Sequence, residues 1–304
     1  MGHSHDHACH QQAPEQVNLA FAIAVLLNLG FTALEAIYAI SADSMSLLGD
    51  AAHNLGDVLG LMLAWGANWL LSKPSNVRYS YGYKRTTIIA ALINALIIVG
   101  TGFIIAYEAV IKLLDPAPTN EVTVIVVAAI GIAINAGTAM LFIRGSKEDL
   151  NIKGAFLHLA VDAIISLGVV FTGIIIYYTK WYWLDGVIAL LIVLAIVYGT
   201  WELLRDSVLL LLDGVPTSLD YSTVKQSLMD IQGVTSVHDL HIWGLSTKEI
   251  ALTAHLVMPG RTLTDHDYSK INQMLKTNFK IKHVTLQVEQ GYDSIQCDQL
   301  DRCH

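Results

Sequence analysis

Residues 45–72 read MSLLGDAAHNLGDVLGLMLAWGANWLLS, a run that is long and apolar yet carries Asp50, His53 and Asp57. About 20 predominantly apolar residues suffice to cross a bilayer, so this stretch predicts a membrane helix with ionisable groups at membrane depth. Working outward, five further runs meet the same length and character: roughly 17–40, 86–114, 121–143, 154–179 and 183–205. The whole chain agrees, with 54% hydrophobic and only 14% charged residues in 304, against a usual charged share of about 25%. A large soluble bundle would need a polar face on each helix, and most of these runs lack one. Lys73, Arg78, Lys84 and Arg85 sit between the second and third runs, and Arg144, Lys147 and Lys153 between the fourth and fifth. The other connections hold only Lys112 and Lys180. This bias places the two basic connections, and hence both termini, in the cytoplasm.

Charged groups in lipid are expensive and mark function by default. The fifth run repeats the theme of the second in His158-Leu-Ala-Val-Asp162. Spacing i, i+4 puts His53 with Asp57 on one helical face, and His158 with Asp162 on one face of another. If the two faces meet they form an N₂O₂ site for a tetrahedral divalent ion, zinc first, with cobalt and cadmium close behind. Asp50 lies on the same stripe as His53 and is read as a group supporting the ligands or lining the exit path. Glu35, Asn28 and Asn135 are polar groups that serve either function or helix-to-helix hydrogen bonding. The alternative for the two pairs, simple ties between helices, returns only about 1 kcal/mol for groups that cost more to bury.

Beyond Arg205 the pattern becomes that of a soluble domain. Val224, Leu228 and Ile231 have helical spacing, Val234–Trp243 and Ile250–Met258 alternate, Tyr268, Ile271, Leu275 and Phe279 mark a second helix, and Val284, Leu286 and Val288 a third strand. The order α-β-β-α-β predicts a small α+β domain. The chain thus divides into a His-rich tail (1–16), a six-helix transport domain (17–205), a cytosolic domain (206–292) and a Cys/His tail (293–304). In the cytosolic domain His238, His255, His266, His283 and Glu289 could ligate metal, or be solvated histidines on a sheet; His255, His283 and Glu289 leave the apolar side of their strands. The N-terminal tract holds His7, Cys9 and His10 among further histidines, a compositional metal-binding signal. Cys9, Cys297 and Cys303 all fall in the tails, so no disulfide framework is expected and a reducing compartment suits them. A net charge of −8 without basic runs excludes nucleic-acid binding, and the first 16 residues lack the features of a cleavable signal.

These residues resemble the cation diffusion facilitators, and within them the bacterial zinc, cobalt and cadmium exporters. The likeness covers nearly the whole chain, through the paired HxxxD, the loop Tyr81-Gly-Tyr-Lys-Arg85 and Val237-His-Asp-Leu-His-Ile-Trp243. It implies a proton-coupled zinc exporter working as a homodimer in the bacterial inner membrane, with a ferredoxin-like cytosolic domain. It implies that His53, Asp57, His158 and Asp162 are the transport ligands, with His53 favouring zinc. It further implies zinc as a regulatory ligand of the cytosolic domain on His238, His255, His283 and Glu289, with Cys297 and Cys303 as further donors, and His241 as structural. The segment His7-Ala8-Cys9-His10 could dock on the neighbouring protomer. Two rivals are a membrane metalloenzyme, for which no HExxH or nucleophile constellation is found, and a membrane-anchored metal sensor without transport. The expectation is therefore a transporter and not an enzyme, whose partners are divalent metal ions, protons, lipid and a second copy of itself.

Overall fold

The computed structural model describes residues 15–142 and 150–291. Six long helices come first: α1 (Glu15–Ser41), α2 (Met45–Leu71), α3 (Thr86–Leu114), α4 (Glu121–Phe142), α5 (Leu150–Thr179) and α6 (Trp183–Leu211). The shortest, α4, has 22 residues, which at about 1.5 Å per residue still exceeds a hydrocarbon core of ~30 Å. Among the described residues, Thr86–Leu114, Glu121–Met140, Leu159–Thr179 and Trp183–Leu211 are long and apolar enough to cross a membrane, and Leu26–Ser41 is a shorter apolar stretch. Phe103, Ile104, Ile164 and Leu194 are each about two-thirds exposed, which water would not favour and lipid does.

The chain forms two compact units, residues 1–59 with 97–198 and residues 60–96 with 199–304. In the first, Phe31, Leu47, Val127, Ala128, Val169 and Ile192 form the centre of the apolar packing. Glycine makes the close approaches possible: a Cβ on Gly131 would stand 2.8 Å from Phe31 Cζ, and one on Gly186 would stand 2.9 Å from the Ala109 carbonyl.

The second unit contains the α+β domain, of the ferredoxin-like class the resemblance implied: α7 (Tyr221–Met229), β1 (Ser236–Gly244), β2 (Ile250–Val257), α8 (Asp265–Phe279) and β3 (Ile281–Glu289). The sheet has three strands in the order β1-β2-β3, with β1 antiparallel and β3 parallel to β2. Asp220 caps α7, and a Thr264/Asp267 capping box starts α8. Val224, Leu228, Ile271 and Leu275 of the helices bury against Leu252, Ala254 and Leu256 of β2. In β1 the inward residues are Val237, then Leu240 and Ile242, so the alternation changes parity. The cause is a register shift between His238 and His241, where Asp239 takes a φ of 49°.

Candidate metal centres

α2 and α5 meet at the residues the sequence singled out. His53 Nε2 lies 3.2 Å from Asp162 Oδ1 and 3.8 Å from Asp57 Oδ2. Tetrahedral ligands each about 2.0–2.1 Å from an ion stand roughly 3.3–3.4 Å apart, so the three groups are spaced as ligands of one cation. His158 lies on α5 one turn before Asp162, but its side chain is outside the described residues. Exposure falls along this face: the side chain of Asp57 is 30% exposed, His53 18% and Asp162 4%. One turn further toward the N-terminal end of α2, Asp50, Ser166 of α5 and Glu35 of α1 are fully buried. There Ser166 Oγ donates to Asp50 Oδ2 at 2.7 Å, and Asn54 Nδ2 donates to Glu35 Oε2 at 3.0 Å.

What holds α2 in place is a carboxylate from another helix. Asp185, near the start of α6, is buried and accepts hydrogen bonds from Ser44 Oγ at 2.7 Å, Met45 N at 2.6 Å, Ser46 N at 3.2 Å and the Ser46 hydroxyl. It thereby satisfies two of the orphan amides at the N-terminus of α2, where negative charge is favoured. Buried Lys112 of α3 lies 3.7 Å from the same carboxylate and 3.2 Å from Asp43, whose carbonyl also accepts from it. The sequence reading missed this clamp, whose partners lie about 140 residues apart.

In the cytosolic domain His238 Nε2 lies 3.2 Å from Glu289 Oε2, and His255 Nδ1 2.9 Å from Glu289 Oε1. Their ligand atoms form one group within 4.8 Å, and the two imidazoles meet edge to face at 5.2 Å. Asp239 joins them, its Oδ2 3.4 Å from His255 Nε2; the sequence reading did not name it. His241, 58% exposed, pairs with the other oxygen of Asp239 at 2.9 Å. His283 is placed differently from the expectation. It pairs in register with Ala251, whereas Gln287 stands opposite His255, and four residues of strand are about 13 Å. Its ring instead meets Tyr81, 5.2 Å away. The same connection, 72–85, binds the domain elsewhere: Lys84 Nζ donates to Glu249 Oε2 at 2.6 Å, Arg85 pairs with Asp213, and next to it Thr87 Oγ1 accepts from Thr247 N at 3.1 Å. Lys84, by this bond above all, holds the Glu249 carboxyl below the ordinary glutamate range. The expected donors His7, Cys9, His10, Cys297 and Cys303 lie outside the described residues.

Residues 21–212 match the family described as the cation efflux transmembrane domain, and residues 216–291 the cation efflux protein cytoplasmic domain. The chain is similar to the metal cation efflux system protein CzcD of Cupriavidus metallidurans, 36% identical over 99% of this chain and 92% of that protein. It is 33% identical to the zinc transporter ZitB of Escherichia coli, over 95% of this chain and 93% of the other. A cadmium, cobalt and zinc/H⁺–K⁺ antiporter of Bacillus velezensis is 31% identical, over 95% and 92%.

Proposed function

The chain belongs to the cation efflux family, and we propose that it exports Zn²⁺ from the cytoplasm in exchange for protons. Cd²⁺ and Co²⁺ are its secondary substrates. The family's substrates are metal ions, and the chain is an integral membrane protein. The transport site is His53, Asp57, His158 and Asp162, between α2 and α5. The observation that carries this reading is the approach of His53, Asp57 and Asp162 across two helices at ligand spacing. Two nitrogens and two oxygens suit zinc, with cobalt, a first-row ion of similar character, and the softer cadmium next.

Metal binding requires a neutral imidazole and ionised carboxylates, so zinc and protons compete for one site. Exposing that site alternately to a neutral cytosol and a more acidic exterior couples the two fluxes. Histidine suits the task because its reference pKa of ~6.5 lies in the working range. The relatives' names, which include metal efflux, zinc transport and exchange against H⁺, support the same direction. The protein works as a homodimer in the bacterial inner membrane with both termini cytoplasmic, as the basic connections and the cytoplasmic family domain suggest. It is not an enzyme: four protein ligands leave no position open for substrate or activated water. His238, His255 and Glu289, with Asp239, bind a regulatory zinc ion.

The test is reconstitution of the purified chain in vesicles loaded with a zinc-responsive dye, with and without an imposed pH gradient. Zinc flux that accelerates with the opposing proton gradient is the expected result. Zinc binding without flux would overturn transport in favour of a membrane-anchored sensor.

A further inference from the structure

The buried layer beside the transport site is built like a ligand set of its own. Asp50 precedes His53 by about one turn of α2, and Ser166 follows Asp162 by about one turn of α5. The contact of Ser166 with Asp50 at 2.7 Å therefore repeats, one step along, the contact of His53 with Asp162 at 3.2 Å. Glu35 of α1 completes the layer, held at 3.0 Å by Asn54, which follows Asp50 by about one turn of α2. Glu35, Asp50 and Ser166 are 0% exposed and Asn54 5%. Asn54 and Ser166 each donate to one oxygen of a carboxylate. The other oxygens, Glu35 Oε1 and Asp50 Oδ1, have no hydrogen-bond partner. The ionisable groups facing the pair are His53 and Asp162, and no lysine or arginine among the described residues pairs with it. Two adjacent carboxylates out of water repel each other and lose hydration, unless a positive species lies between them.

We propose that Glu35 and Asp50, braced by Asn54 and Ser166, form a second divalent-cation site made of oxygen donors, one helical turn beyond the transport site. The proposal rests on the transport reading above, since its occupant is the ion in transit. Each bracing donor leaves one carboxylate oxygen for the cation. Without imidazole or thiolate the set holds zinc less tightly than the His–Asp set does. A weaker site on the route outward takes the ion from the transport ligands and lets it go.

Manganese, a hard ion suited to oxygen ligands, is the probe. The full chain carrying Asp57→Ala, His158→Ala, His238→Ala and His255→Ala, purified in detergent, is titrated with Mn²⁺ and the bound ion counted by electron paramagnetic resonance. One bound Mn²⁺ per protomer is expected, and adding Glu35→Gln or Asp50→Asn should remove it. An unchanged count in both would overturn the site. Should the multiple variant fail to fold, the zinc stoichiometry of the otherwise native chain should fall by one per protomer on Glu35→Gln; an unchanged stoichiometry overturns the site as well. Absence of bound manganese, together with an infrared band of a protonated carboxyl that Glu35→Gln abolishes, would show that the pair holds a proton and overturn the metal assignment. Manganese binding that depends on Glu35, with no zinc flux in native vesicles, supports the site and overturns the transport reading instead.

Discussion

Asp185 shows how one side chain fixes the start of the helix that carries His53 and Asp57. Its replacement by Asn keeps the shape but removes the charge that α2's amides and the buried Lys112 ammonium face. Breaking one member of a buried charge set costs about 3–5 kcal/mol, so Asp185→Asn should lower the unfolding free energy in detergent by that order, and Asp185→Glu by less. An unchanged denaturation midpoint would show that the clamp contributes nothing. His53→Ala and Asp162→Ala should each reduce vesicular zinc flux by at least about tenfold, with the chain still folded by size-exclusion chromatography; flux retained in both would remove them from the ligand set. The pairing of His53 with Asp57 on one helical face was legible in the sequence because helical periodicity is local and an i, i+4 pair needs no tertiary knowledge. Asp239 was not legible, because strict alternation from Val237 assigns it to the core side, and only the bulge and its positive φ turn it outward toward His255. His283 was assigned to the metal group for a related reason: side-chain parity gives the face of a strand but not the distance along it.

At the scale of elements, glycines determine how closely helices approach. The Gly186→Ala methyl would meet the Ala109 carbonyl, a backbone atom that cannot rotate away, beside the Asp185 clamp. Overpacking of this kind costs roughly 1–3 kcal/mol. The expected result is a lowered melting temperature for Gly186→Ala, while Gly30→Ala, with open space around it, stays near native. The contact between the α2–α3 connection and Glu249, just before β2, is expected to depend on pH. Because Lys84 depresses Glu249 in the folded state, the stabilisation is present above the ordinary glutamate pKa and is lost as pH falls through the depressed value. Both groups are about one-third exposed, which limits the effect to ~1 kcal/mol or less. Unfolding midpoints from pH 7 down to about 3 should therefore converge for the native chain and Lys84→Met; parallel curves would assign the pair no role. The six long helices and the α-β-β-α-β order were readable from hydropathy and alternation alone. The contact of Lys84 with Glu249 was not, since nothing local links residues 165 positions apart.

For the whole molecule the proposed reading separates two metal sites by role. Ligands in the membrane carry the ion, while those on the cytosolic sheet act by binding one arrangement of the protein better than another. Replacing His238 and His255 together by Ala should leave the ranking of zinc, cadmium and cobalt unchanged and shift the zinc concentration at half-maximal flux. Complete loss of flux in a folded double variant would place that site on the route itself. The decline in exposure from Asp57 to the fully buried Asp50 and Glu35 carries a different consequence. If the route runs along this face, the fully buried side chains close it and interrupt a continuous water file, so protons should not hop through it while the protein is at rest. Current across a planar bilayer under voltage alone should be indistinguishable from that of bare lipid, and flux should saturate with metal as a carrier's does. On the proposed reading, a layer that delays each ion would also keep the proton gradient from discharging between turnovers.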